Sequence, residues 1–324
     1  RCVMKDAWGR TIEYVRLSLT DACNFCCPYC RPAEITPQSQ TQLLSVDEWM
    51  TILAAFHQIG VKAVRLTGGE PLLYPHIEEL LSRINDTGWF EDISMTTNGS
   101  LLASRAQRLK KLGLNRVNIS LDSLESEAFA TCVGKEGQLE SVLEGIRSAI
   151  NANFKSVKIN TVLSRYWSDE EVKSLLQYVE KWPVVWRFIE YMPFQGDAFH
   201  GPTFDEWKAQ LERVSEGPLT EVHSIYGFGP ATYLALPSGK AVGFIFSMSH
   251  SYCDTCNRVR LTSDGQMRLC LLRDDEADLV SLVRNGATAE ALAEHIERAL
   301  QRKQERHDGI GMDQPERPMW RIGG

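Results

Sequence analysis

Between residues 14 and 192 the chain repeats one unit: a short β-branched run, then a helical pattern. The spacing is about 30 residues, the size of a strand–helix step. The runs fall at 14–20, 61–67, 93–97, 117–121, 157–163 and 184–190. Six strands alternating with helices predict a parallel sheet, because each helix returns the chain to the same end. Periodicity fits an open doubly wound sheet and a curved one equally. The placement of the unusual motifs favours curvature. "TDACNFCCPYC" follows the first run, "TGGEP" the second, "TTNG" the third, "SLDS" the fourth and "EYMP" the sixth. Sites in parallel α/β folds are built on that rim, and a barrel gathers several strand ends around one cavity. The expectation is an α/β fold: a partial (βα)6 TIM-like barrel over residues 1–215.

Helix signals support this reading. Ser45 with Glu48 forms a capping box; Trp49, Ile52, Leu53, Phe56 and Ile59 share a face, and Gly60 stops the helix. "SLDSLESEAF", "KLGLNRVNIS" and "SDEEVKSLLQYVEKW" carry similar signals. After about residue 215 the pattern changes. "SEGPLTEV" and "GFGPAT" are turn-rich, "VGFIFS" reads as a strand, and "RVRLTSDGQMRLCL" as a hairpin around Asp264 and Gly265. A charged amphipathic helix over 288–304 follows, with Thr288 as N-cap. Residues 216–324 are expected to form a smaller α+β domain.

Composition narrows the function. A net charge of -7 over 324 residues argues against broad phosphate neutralisation, so nucleic acid is not expected. No apolar run approaches the ~20 residues that span a bilayer, and no signal-peptide pattern opens the chain. Cytoplasmic location is therefore expected, with no membrane partner. Nine cysteines in such a chain read better as metal ligands than as disulfides. Cys2 and Cys132 stand alone; the others form two groups.

In the first group, C-x3-C-x2-C selects Cys23, Cys27 and Cys30. Three thiolates on a tight loop suit a [4Fe–4S] cluster with one iron left free for a small molecule. A zinc knot is the competing reading, but it wants four ligands, and adjacent Cys26 and Cys27 would have to face one ion. The cluster is favoured. With Tyr29 before the last cysteine and "GGEP" at 68–71, the sequence here resembles the radical S-adenosylmethionine (SAM) superfamily. The resemblance implies that the open iron binds SAM and that its reductive cleavage gives a 5′-deoxyadenosyl radical. In "GGEP" the absence of side chains would let the methionine amine approach main-chain carbonyls.

The second group, Cys253-x2-Cys256-x13-Cys270, again offers three thiolates. A zinc site with His250 as fourth ligand and a second cluster fit it equally well. Next to it, Arg258 and Arg260 share one strand face, where two guanidiniums suit a triphosphate. An isolated R-x-R is more often a solvated face with surface ion pairs.

C-x2-C-N-R-x-R-L-T, the x13 spacing to Cys270 and the Gly323–Gly324 pair together resemble the MoaA family. These are the GTP 3′,8-cyclases of molybdenum cofactor biosynthesis, radical SAM lyases. "DAWGRTIEYVRLSLTD", "VRLTGGEPLL", "RVNISLDSL", "KINTV" and "RFIEYMP" extend the resemblance over essentially the whole chain. It implies two [4Fe–4S] clusters, on Cys23, Cys27 and Cys30 and on Cys253, Cys256 and Cys270. It places SAM contacts at Tyr29, Gly69, Ser120 and Met192, and GTP contacts at Arg16, Arg65, Thr96, Lys158, Arg187, Arg258 and Arg260. Catalytic roles fall on Arg258, Arg260, Gly323 and Gly324, the glycines forming a flexible tail that enters the site. The implied reaction removes hydrogen from C3′ of GTP, and the ribose radical then attacks C8 of guanine. The second cluster's open iron would bind the guanine edge. An electron donor and a downstream MoaC-type synthase are the implied partners, and a homodimer is compatible with the sequence.

The sequence departs from the family pattern beside the first cysteines. Ala22 and Cys26 stand where the family has arginines, and Arg31 stands where it usually has Met. Tuning of the cluster is the expected effect, since all six ligand cysteines are present.

Overall fold

The structure is a computed structural model and describes residues 3–31, 42–193, 199, 201–222, 227–307 and 316–323. Cys2 and Gly324 lie outside the described residues.

Alternation within each strand sorts side chains to two faces. In β1 (Tyr14–Ser18), Val15 and Leu17 are fully buried under helices, while Tyr14, Arg16 and Ser18 take the opposite face. Then follow α1 (Val46–Gln58), β2 (Ala63–Thr67), α2 (Ile77–Thr87), β3 (Asp92–Thr97), α3 (Ala106–Lys111) and β4 (Arg116–Ser120). The chain continues through α4 (Ser126–Val133), α5 (Leu139–Asn151), β5 (Ser156–Val162), α6 (Asp169–Lys181), β6 (Val185–Ile189) and α7 (Phe204–Val214). All six expected strands form, within two residues of the bounds expected from sequence. Capping boxes start α1 at Ser45/Glu48, α6 at Ser168/Glu171 and α7 at Thr203/Glu206.

The second half adds β7 (Thr220–Glu221), β8 (Thr232–Ala235), β9 (Ala241–Ile245), β10 (Arg258–Leu261), β11 (Gln266–Arg268) and β12 (Glu276–Asp278). Its helices are α8 (Val280–Arg284), α9 (Ala289–Leu300) and α10 (Met319–Ile322). Thr288 caps α9, which ends four residues before the expected Gln304. The hairpin at Asp264–Gly265 is the β10–β11 pair.

These strands join the same sheet, in the order β12-β11-β10-β1-β2-β3-β4-β5-β6-β9-β8-β7. β10 runs parallel beside β1, and β9 parallel beside β6. A parallel run of eight strands is therefore flanked by antiparallel ribbons. If flat, the six spacings from β10 to β6 would span roughly 29 Å. Yet Arg258 of β10 and Arg187 of β6 line one cavity, so the sheet curls into an incomplete barrel. Among the described residues no helix is long and apolar enough to cross a membrane.

Candidate functional site

Inside the curl lies a cavity of about 260 Å³, with a cationic end and a thiol end. Strand register builds the cationic end. Arg16 stands opposite Arg260 on one side and Arg65 on the other. Ser94 and Arg116 continue the row on β3 and β4. Arg116 is paired with Asp92 at 2.8 Å. Among the described residues, no carboxylate pairs with the other arginines of the row. Arg65 donates to Ser94 Oγ at 3.2 Å and lies over the Tyr14 ring. Arg260 donates to the Gly323 carbonyl at 2.9 Å. Arg16 Nε is sealed from solvent and has no hydrogen-bond partner among the described residues. Burial, then the charges of Arg260, Arg65 and Arg258, hold the Arg16 guanidinium well below its usual range.

The neighbouring groups repeat this pattern. Arg258 lies over the Tyr252 ring at 4.9 Å. Arg187 donates to Asn160 at 2.9 Å, and burial brings its pKa down to about 10, as it does that of Arg260. Burial, then Arg187, Arg65 and Arg116, push Lys158 down to about 6. Thr96 Oγ1 is buried without a partner among the described residues. Like charges side by side on a sheet are unfavourable, and buried polar groups are normally satisfied. The seven expected GTP residues thus bring six cationic side chains and the Thr96 hydroxyl together around one site, which fits a polyanion. Six of them line the cavity, while Lys158 lies outside its lining, close to Gly227.

Cys23, Cys27 and Cys30 line the opposite end. Burial raises all three thiols; Cys30 reaches about 12 and Cys27 stands well above its usual value. Thiols this reluctant to ionise need a bound cation to become thiolates. Among the described residues all cysteines are free, and no three His, Cys, Asp or Glu side chains close on one point as the ligands of a single ion do. Structural zinc takes four donors, whereas a [4Fe–4S] cluster with one free iron takes the three thiolates that this loop offers. The donor set fits a cluster.

Of the expected SAM residues, Tyr29, Gly69, Ser120 and Met192 all line this cavity. The Tyr29 hydroxyl donates to Asp122 at 2.7 Å. Burial pushes the Asp122 carboxyl up to about 6. At Gly69 a Cβ would lie 2.3 Å from the Ala22 carbonyl, and the Gly69 amide donates to Thr20 at 2.6 Å. The glycine therefore first serves to seat "GGEP" against the cysteine loop. Glu70 locks the far side, accepting from Thr97 Oγ1 at 2.7 Å and the Asn98 amide at 2.8 Å.

A smaller cavity of about 60 Å³ adjoins, lined by Cys253, Cys256, Cys270, Arg258, Met192 and His307 among others. Burial alone would raise the Cys253 and Cys256 thiols. Hydrogen bonds from His307 and Ser251 bring Cys253 down to about 6, and Arg258 with Lys303 brings Cys256 to about 7. This donor set, too, fits a metal centre. His250 is not part of it: its ring packs on Phe204 at 4.5 Å, because the turn after β9 directs it towards α7. His307 takes the place beside Cys253. Arg10 brings it there, donating to the carbonyls of Cys253, Gln304 and Glu305 at 2.9, 2.7 and 2.7 Å while its Nε holds Asp6 at 2.6 Å. Among the residues missed from sequence, Asp122 and Asn98 lay within motifs already marked, "SLDS" and "TTNG". For His307 no local signal existed.

Residues 17–179 match the Radical SAM superfamily, and residues 184–309 match Molybdenum Cofactor Synthesis C. A curled parallel sheet with three cysteines after β1 thus defines a radical SAM protein. A GTP 3',8-cyclase of Pelotomaculum thermopropionicum is 38% identical over 326 residues, covering 99% of this chain and 100% of that one. One of Marinobacter nauticus is 39% identical over 312 residues, covering 94% and 93%. Streptococcus suis SuiB bound to S-adenosylmethionine shares the fold, with TM-score 0.64 and 15% identity over 87% of this chain and 68% of that one. The chain belongs to the GTP 3',8-cyclase family of the radical SAM superfamily.

Proposed function

We infer that this chain converts GTP to (8S)-3′,8-cyclo-7,8-dihydroguanosine 5′-triphosphate, the first step of molybdopterin biosynthesis. The unneutralised row Arg260–Arg16–Arg65, facing three thiols across one cavity, carries this reading. Cys23, Cys27 and Cys30 would hold one [4Fe–4S] cluster, and Cys253, Cys256 and Cys270 a second. With SAM bound, the first cluster would supply the one-electron reductive chemistry that makes hydrogen removal from C3′ of GTP possible.

The chain's residues do the rest. Arg16, Arg65, Arg187, Arg258 and Arg260, with Lys158 and Thr96, grip the triphosphate, so that binding energy far from the reacting carbon orients the ribose. Tyr29, Gly69, Ser120 and Met192 shape the SAM end, and the bond to Asp122 fixes Tyr29. Arg258, Arg260, Gly323 and Gly324 act in the cyclisation, and the tail helps to exclude water. Residues 1–215 contribute the SAM half and 216–324 the second cluster. An electron donor for cluster reduction and a MoaC-type synthase acting on the product complete the partners, in a cytoplasmic setting.

The test is anaerobic reconstitution followed by incubation with dithionite, SAM and GTP. 5′-Deoxyadenosine and the cyclised nucleotide should form together, and iron and sulfide should suffice for two clusters. Zinc at both sites, or 5′-deoxyadenosine formed only with a peptide or another nucleotide, overturns the reading.

A further inference from the structure

Residues 316–323 run from the second-cysteine side of the molecule to the first, and their fixed points are unequal. The Glu316 amide donates to Asp274 Oδ2 at 2.7 Å. Arg317 then enters beside the β11–β12 hairpin. Its Nε and Nη2 donate to the two oxygens of Glu276 at 2.8 and 3.0 Å, and its Nη1 to those of Asp264 at 3.1 and 3.0 Å. Arg268, fully buried, braces Glu276 from behind at 2.6 Å. A guanidinium held by two carboxylates is fixed in direction as well as in place.

Beyond it, α10 has only four residues, too few to hold itself together. Its Trp320 is buried, with the Arg31 guanidinium 5.7 Å from the ring centroid; Arg31 directly follows Cys30. Gly323 then meets Arg260, in a left-handed conformation at φ +86°. A Cβ there would lie 2.7 Å from Ser18 Cβ, so only a glycine fits that place. A slip of one residue in the direction that advances Ile322 would put its side chain against β1. Something outside α10 must therefore set the register.

We propose that Arg317, gripped by Glu276 and Asp264, and Arg31, against Trp320, are positioning residues that set the tail's register and bring Gly323 to Arg260. The anchor itself stands apart from the GTP reading; only its catalytic consequence rests on that reading. The grip also joins the hairpin that carries Cys270 to the loop that carries Cys30.

The experiment compares reconstituted wild type with Arg317→Gln, Arg317→Lys and Arg31→Met. Asp264→Asn, which removes a single partner, serves as the milder control, and iron content and melting temperature confirm folding. Carboxypeptidase Y followed by mass spectrometry should remove the tail about tenfold faster from Arg317→Gln, with Arg317→Lys in between. Product formation should lose on the order of 10- to 100-fold in kcat, as a displacement near 1 Å does elsewhere. KM for GTP should change little, and 5′-deoxyadenosine should still form. Trimming or product formation at the wild-type rate in Arg317→Gln overturns the proposal. A wild type that yields no cyclised product from GTP defeats the functional reading instead, and trimming still tests the anchor.

Discussion

Arg16 and Arg260 stand directly opposite each other on neighbouring parallel strands, and among the described residues neither has a carboxylate to neutralise it. The arrangement costs stability in the free protein and is repaid only by an anion. Arg16→Leu should therefore melt higher without ligand, by about 2 °C for on the order of 1 kcal/mol of relieved repulsion. GTP binding should weaken about 10- to 100-fold, the size of a lost charged hydrogen bond. Scanning fluorimetry and equilibrium dialysis measure both. A variant that melts lower and binds GTP normally would make the row structural.

Lys158 gives the site a pH dependence. Its pKa of about 6 in the free protein leaves it largely neutral at pH 7.5. A bound triphosphate favours the charged form, so binding takes up a proton. Affinity should fall as pH rises from 6 towards 8, by at most about tenfold per pH unit. Lys158→Met should lack this component. Taking the difference between the two proteins at each pH removes the titration of the nucleotide itself, and parallel curves would contradict the assignment.

The two cysteine groups should react differently in metal-free protein. At pH 7, Cys253 near 6 and Cys256 near 7 carry substantial thiolate, whereas Cys30 near 12 does not. Because the thiolate is the nucleophile, iodoacetamide should label Cys253 and Cys256 well before Cys27 and Cys30. Peptide mass spectrometry over time reads the order. Equal rates, or the reverse order, would disprove it.

Gly69→Ala should act locally. The added Cβ meets a backbone carbonyl that cannot swing aside, so the cysteine loop must move, at about 1–3 kcal/mol. Iron at the first group and SAM cleavage should be lost while iron at the second persists. Iron analysis combined with Cys253→Ala separates the two. Full iron and activity in Gly69→Ala would refute this account of the glycine.

Much of this site was legible in the sequence because its ingredients are local. Capping boxes at Ser45 and Ser168 fix where helices begin, two-residue alternation fixes strand faces, and the cysteine spacings lie within single loops. What was not legible depends on long-range pairing. Nothing within residues 258–261 says that Arg258 and Arg260 belong to a strand lying parallel against β1, and the neighbouring half of the sequence reads as a separate unit. His307 is placed by Arg10, whose three carbonyl partners lie far along the chain, so His250 was the only histidine that spacing could offer. The Gly323–Gly324 pair reads as pliant, yet Gly323 is held by its neighbours; a four-residue helix leaves too short a pattern to announce it.

The pairing of β10 with β1 also dictates the order of assembly. β1 begins at Tyr14, and its outer neighbour begins only at Arg258. Until that stretch has been synthesised and has docked, a row of backbone donors and acceptors on β1 stays bare, and β6 waits in the same way for β9. Such late closure makes for slow folding and for a nascent chain that depends on protection from its own kind. A fragment ending near residue 215 would keep both edges open and aggregate rather than fold.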